Sequence, residues 1–140
     1  MKNKITLLLI ALTVSFMVNA QVNLTSVYGN TTDTVTNTAT KYLYSGVVNG
    51  YQKTAAIQVT LTEISGTTAG TISLEASVDG VNYYSYYGSK DSTYTFSPSD
   101  VSSQSFRFIL TDVGDLYFRV KYVGSGTMSD KISGKILVRK

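Results

Sequence analysis

From about residue 41 onward the chain alternates between apolar and polar positions. In AAIQVTLTEI, Ile57, Val59 and Leu61 fall on one side, with Gln58, Thr60 and Thr62 on the other. TISLEAS sets Ile72, Leu74 and Ala76 against Ser73, Glu75 and Ser77. SFRFIL groups Phe106, Phe108 and Leu110 against Arg107. DLYFRVKY is the clearest run, with Leu116, Phe118, Val120 and Tyr122 inward and Tyr117, Arg119 and Lys121 outward. The closing KISGKILVRK places Ile132, Ile136 and Val138 against Lys131, Lys135 and Arg139. A period of two with one wet face is the habit of antiparallel strands.

Turn residues separate the runs. SGTTAG (65–70), VDGVN (78–82), VGD (113–115) and GSGT (124–127) each join Gly to Ser, Asp or Asn. Asp79-Gly80 is the strongest hairpin signal, because glycine there takes the positive φ that such a turn needs. The spacing predicts an all-β fold, a single antiparallel β-sandwich (Ig-like or jelly-roll) of seven to eight strands, with a β-barrel as the alternative. SGTTAGTIS (65–73) and SGTMSDKIS (125–133) echo one another and read as two related hairpins.

The start of the chain obeys a different pattern. Lys2 and Lys4 precede an apolar run from Ile5 to Val18, and Ala20 closes it. This is the charge, apolar stretch and small-residue ending of a secretory signal peptide over 1–20, with cleavage expected before Gln21. The run is too short for a membrane span of about 20 residues. Residues 21–40, rich in Thr and Asn, form a polar N-terminal arm or first edge strand, and 41–140 form the sandwich. The expected location is periplasmic, cell-surface or extracellular. Without a cysteine in the sequence, stability rests on the core alone.

Removing the signal changes the charge balance. The whole chain carries 12 Lys and Arg against 9 Asp and Glu, and two of those lysines lie in the signal. What remains is 10 against 9, a net charge of +1. The basic residues are scattered singly along the sequence, so a nucleic-acid partner is not expected.

Chemistry narrows further. With no histidine or cysteine, Ser-His and Cys-His catalysis and the usual zinc ligand sets are excluded. Most aspartates fall in expected turns, Glu63 and Glu75 alternate toward solvent, and no calcium-loop or phosphate-loop motif occurs. The chain is expected to be no enzyme and to hold no cofactor or metal.

The richest stretch is VNYYSYYGSKDSTYTF (81–96), with five of the eleven tyrosines. Alternation puts Tyr83 and Tyr87 on one face and Tyr84 and Tyr86 on the other. One pair fills the core, and the other is free for contact. Tyrosine joins a flat apolar ring to a polar tip, which serves protein interfaces and sugar stacking alike. The candidate contact surface is Tyr84, Tyr86, Tyr94, Tyr117 and Arg119.

GTISLEASVDGVNYYSY resembles the strand, Asp-Gly turn and aromatic strand of discoidin-like carbohydrate-binding sandwiches. With Tyr117, Arg119, Tyr122, Gly124–Ser129 and Ile136–Lys140, the chain from about 34 to 140 is more similar to small β-sandwich proteins of Bacteroidota and their phages or prophages. That resemblance implies a virion or surface-structural role, although a cleaved signal fits poorly with a capsid part assembled in the cytoplasm. The end of the chain also resembles a type IX secretion sorting domain. It reads better as an ordinary last hairpin, because its residues belong to the core. The expected function is therefore a secreted, non-enzymatic sandwich with a structural or interaction role, at the cell surface or in a phage-related particle. The alternative is a carbohydrate-binding module using exposed tyrosines. The partner is a protein, self or other, or a glycan, and a homo-oligomer is among the expectations.

Overall fold

The computed structural model describes residues 21–48, 52–86 and 95–139. The signal segment and Tyr94 lie outside the described residues. The remainder is all strand. β1 (Gln21–Asn23) and β2 (Thr32–Thr36) lie end to end along one side of β10 (Met128–Arg139). β10 pairs with β4 (Gln52–Gly66), and β4 with β8 (Ser103–Val113). In the second sheet β3 (Thr40–Tyr44) pairs with β9 (Tyr117–Gly124), and β9 with β5 (Gly70–Ser77). β6 (Tyr84–Ser85) and β7 (Thr95–Phe96) share the far side of β5. Among the described residues every pairing is antiparallel, and ten segments fill eight strand positions, four per sheet. This is a sandwich of two open sheets, not a barrel closed by one. Among the described residues no helix is long and apolar enough to cross a membrane.

Alternation builds the core. On β9, Phe118, Val120 and Tyr122 are wholly buried, while Tyr117, Arg119 and Lys121 between them keep partial exposure. They face Ile57 and Leu61 of β4, Phe108 and Leu110 of β8, and Ile132 of β10 in one cluster. Each such side chain contributes roughly 1.5–3 kcal/mol by leaving water. Leu116, expected inside, precedes β9 and is 38% exposed. Leu24 plugs the sheet from the N-terminal side; a Cβ on Gly134 would lie 2.7 Å from its Cδ1, so a side chain there would have to displace Leu24.

The two SGT segments are not hairpins. Gly66 to Gly70 carries the chain from β4 in one sheet to β5 in the other, and Gly124 to Met128 carries it back from β9 to β10. The corners are bound together: Thr67 N–H donates to Thr127 O at 3.2 Å, and Ser125 N–H donates to Ala69 O at 3.2 Å. The echo in the sequence is thus one corner geometry used twice.

Beneath these corners lies a polar cluster. The inward phase Met128, Asp130, Ile132 places Asp130 wholly inside. Its carboxylate accepts hydrogen bonds from the Tyr122 hydroxyl at 2.6 Å and the Thr68 hydroxyl at 2.8 Å. No buried side-chain polar atom among the described residues lacks a partner.

Candidate functional site

Asp79 and Ser77 shape the turn that sets the tyrosines. Asp79 Oδ1 accepts from the backbone N–H of Val81 and of Asn82, each at 2.8 Å. Its Oδ2 takes the Asn82 side-chain amide at 2.7 Å. Ser77 donates its hydroxyl to Asp79 Oδ1 at 2.8 Å, and accepts from Gly80 N–H at 2.9 Å. Gly80 has φ 74°, as the hairpin reading required, and sits against the Tyr117 ring. Four donors aimed at one carboxylate hold Asp79 far below the usual carboxylate range, the Asn82 backbone contributing most. That contribution to stability is present above the unfolded value near about 4 and fades as pH falls below it. Asp79→Asn is therefore expected to flatten the acid limb of the stability curve, read as denaturation midpoints at neutral pH and near pH 3. An acid limb as steep as that of the parent would contradict this.

The register then decides which tyrosine goes where. Tyr84 stands opposite Ala76, a wholly buried residue, and Ser85 stands opposite Glu75. Tyr84 and Tyr86 thus share the core-directed side of β6. Tyr86 is half-buried, edge-on to Phe118 with centroids 5.9 Å apart. Tyr84, 48% exposed, donates its hydroxyl to the Asp115 carboxylate, and burial together with that bond pushes its pKa up to about 12. Tyr117 is half-buried under Gly80. Of the five residues singled out by sequence, Tyr117 and Arg119 share the outer face of the β3–β9–β5 sheet. Tyr84 and Tyr86 do not join them, because the pairing with β5 fixes the opposite phase.

Tyr83 takes their place. Arg119 lies between two rings, its guanidinium carbon 4.3 Å from the Tyr42 centroid and 4.1 Å from that of Tyr83. Tyr44 meets Tyr83 edge-on at 6.0 Å and lies tilted against Tyr42 at 6.2 Å. Glu75 fixes the cation from below, accepting from Arg119 Nε at 2.5 Å, while Lys121 Nζ stands 3.6 Å from its other oxygen. Burial raises the Tyr83 pKa, with Arg119 opposing the rise. Glu75 points outward as alternation required, yet these neighbours leave it only 8% exposed. The cluster holds two cations against one carboxylate.

A hollow of about 280 Å³ continues it past the edge of β3, lined by Val27, Tyr28, Thr40, Lys41, Tyr42 and Tyr44 among others. The turn Ser26–Asn30 presents Tyr28 there, 82% exposed, and is tied to the strand by Thr25 N–H to Tyr44 O at 2.9 Å. Sequence reasoning passed over Tyr42 and Tyr44, although KYLY flanks the buried Leu43 with two tyrosines of one phase. Among the described residues no group of three His, Cys, Asp or Glu comes together to hold a metal. The arrangement offers flat rings, a positioned guanidinium and an ammonium.

No protein-family model matches the chain. A search of curated proteins finds no match. Solved structures do match. A family 4 carbohydrate-binding module, described under "CBM4 structure and function", superposes with TM-score 0.51 and 11% identity over 89% of this chain and 82% of that one. The SPBc2 prophage-derived protein YomS gives 0.51 and 13%, covering 88% and 96%. The Clostridium thermocellum xylanase 10B structure, with CBM22-1 and GH10 modules and xylohexaose, gives 0.51 and 14%, covering 89% of this chain and 27% of that one. At these identities the likeness shows a shared fold. That fold is the sandwich of carbohydrate-binding modules and of a prophage protein.

Proposed function

We propose that the protein is a secreted, non-catalytic glycan-binding sandwich whose binding surface is the outer face of the β3–β9–β5 sheet. The observation that carries this is the Arg119 guanidinium held between Tyr42 and Tyr83. A sugar ring presents apolar C–H faces and a rim of hydroxyls. Tyrosine rings match the first, and the guanidinium and Lys121 ammonium are donors for the second. Glu75 and the flanking rings fix Arg119 in advance, so less side-chain freedom is lost on binding. The two carbohydrate-binding neighbours support the reading through their fold. Export is read from the signal-like pattern of residues 1–20.

Calorimetric titration of residues 21–140 with neutral xylo-, cello- and laminari-oligosaccharides tests this. One of them binds, Tyr83→Ala weakens it at least about tenfold, as loss of one central aromatic contact does, and Tyr83→Phe keeps it. Absence of binding to all three series, or binding indifferent to Tyr83→Ala, would sink the proposal. In the first of those cases a mass above the monomer by light scattering, lowered by Tyr42→Ala, would make the same face a contact between protein chains.

A further inference from the structure

The second sheet face carries a separate charge pattern. The described Lys and Arg side chains divide in two. Lys41, Arg119 and Lys121 make ion pairs with Asp33 and Glu75. Arg107, Lys131, Lys135 and Arg139 have no carboxylate partner among the described residues, and all four are exposed. The register gathers these four on the outer face of the β10–β4–β8 sheet. Gln58 stands between Lys135 and Arg107 in one row, and Thr54 pairs with Arg139 in another. Asp130 and Ile132 are wholly buried on the inner side of β10, and Asp33, paired with Ile132, shares that phase. Glu63, expected to alternate toward solvent, instead pairs with Asp130 and follows the inward phase of Val59 and Leu61, so no acidic residue among those described is in phase with the outer side.

On β10 the cations recur every fourth residue, roughly 13 Å apart at strand rise. That exceeds the screening length of about 8 Å in physiological salt, so they coexist without strong repulsion. An extended anionic chain laid along β10 would meet them in turn. Three of them, Arg107, Lys135 and Arg139, line a shallow hollow of about 350 Å³ with Gln21 and Gln58.

We infer that this face is a docking surface for a polysaccharide bearing carboxylates, a polyuronate. Beside the apolar Ala56 and Leu137, the groups between the cations include amides and hydroxyls, such as Gln58 and Thr60 with Ser105, which suit sugar hydroxyls. The outer positions of β4, β8 and β10 include no aromatic ring on which a nucleobase could stack. The large apolar side chains of that phase are Ile64, 58% exposed at the end of β4, and Ile109 and Leu137 on either side of Ala56, too small an area to enter a lipid surface. The inference is independent of the tyrosine face.

The test uses polygalacturonate and its fully methyl-esterified form, which keeps the backbone and loses the charge. Residues 21–140 are expected to bind the first and not the second, more weakly as salt rises. The triple variant Arg107→Gln, Lys135→Gln, Arg139→Gln is expected to lose about tenfold or more in affinity, each exposed charge contributing a few-fold. Thermal melting confirms that it stays folded, and Tyr83→Ala is expected to bind polygalacturonate as the parent does. A parent that ignores polygalacturonate at low salt, or a folded triple variant that binds it unchanged, overturns the inference. So does equal binding to duplex DNA or to anionic phospholipid vesicles at matched charge, which would make the face a general cation patch. Loss of neutral oligosaccharide binding in Tyr83→Ala reports only on the tyrosine face, so the two proposals fail separately.

Discussion

Phe118→Ala is expected to cost about 3–5 kcal/mol of folding stability, the usual range for emptying a buried phenylalanine site. Phe118 is wholly buried in β9, pairs with Ala76 and carries the Tyr86 ring against its own. Ala76 is too small to fill the space, and Tyr86 is held in place by its backbone N–H, which donates to Leu74 O at 2.9 Å. Neither neighbour can collapse into the gap, so the cavity term adds to the lost burial. A domain of this kind has only about 5–15 kcal/mol in total. The denaturant midpoint should fall by a large fraction with little change in slope. A loss under about 1 kcal/mol would mean that the two sheets do not close over this residue.

Tyr122→Phe removes one oxygen and should cost roughly 1.5–3 kcal/mol, the range for a hydrogen bond to a charged group. The change leaves the wholly buried Asp130 carboxylate with the Thr68 hydroxyl as its other side-chain donor among the described residues. It should also change the response to alkali. Burial, followed by the bond to Asp130, raises the Tyr122 pKa well above that of a free tyrosine. Between those values the unfolded chain releases a proton that the folded chain keeps, so stability falls as pH rises. The contribution is complete below about pH 10 and is lost above it. Tyr84 and Tyr83, also raised, add to the same limb with less weight because both are partly solvated. Denaturation midpoints from pH 8 to 11 should therefore drop steeply in the parent and less steeply in Tyr122→Phe. Parallel curves would refute the buried bond.

The architecture was legible in the sequence because alternation is local. In β9 each inward residue is buried and each outward one is not, so DLYFRVKY could be read almost directly; only Leu116, one residue before the strand, departs. The Asp79-Gly80 turn was legible for the same reason, since its partners lie within a few residues. What could not be read was anything set by pairing across sequence. The SGT echo looked like two hairpins, because a corner between sheets and a hairpin within one use the same Gly-rich residues. That Asp130 is buried follows only from β10 running through it and Tyr122 meeting it from the other sheet.

The site suffered most from this. Alternation showed that Tyr83 and Tyr84 face opposite ways, but only pairing with β5 says which one faces out. Tyr42, Glu75 and Tyr83 stand on or beside three different strands, and nothing in the sequence joins them to Arg119. The cations of the other face are likewise single charges in sequence. Three strands in register bring Arg107 level with Lys135, and net charge gives no hint of it.

We propose the Arg119 cluster as the place where sugar binds. Chemical-shift mapping of isotope-labelled residues 21–140 during titration with the best neutral oligosaccharide tests it most directly. Shifts are expected to concentrate at Tyr42, Tyr44, Tyr83, Arg119 and Lys121, with the outer face of the β10–β4–β8 sheet unmoved. Shifts on that opposite face alone, or none at saturating sugar, would contradict it.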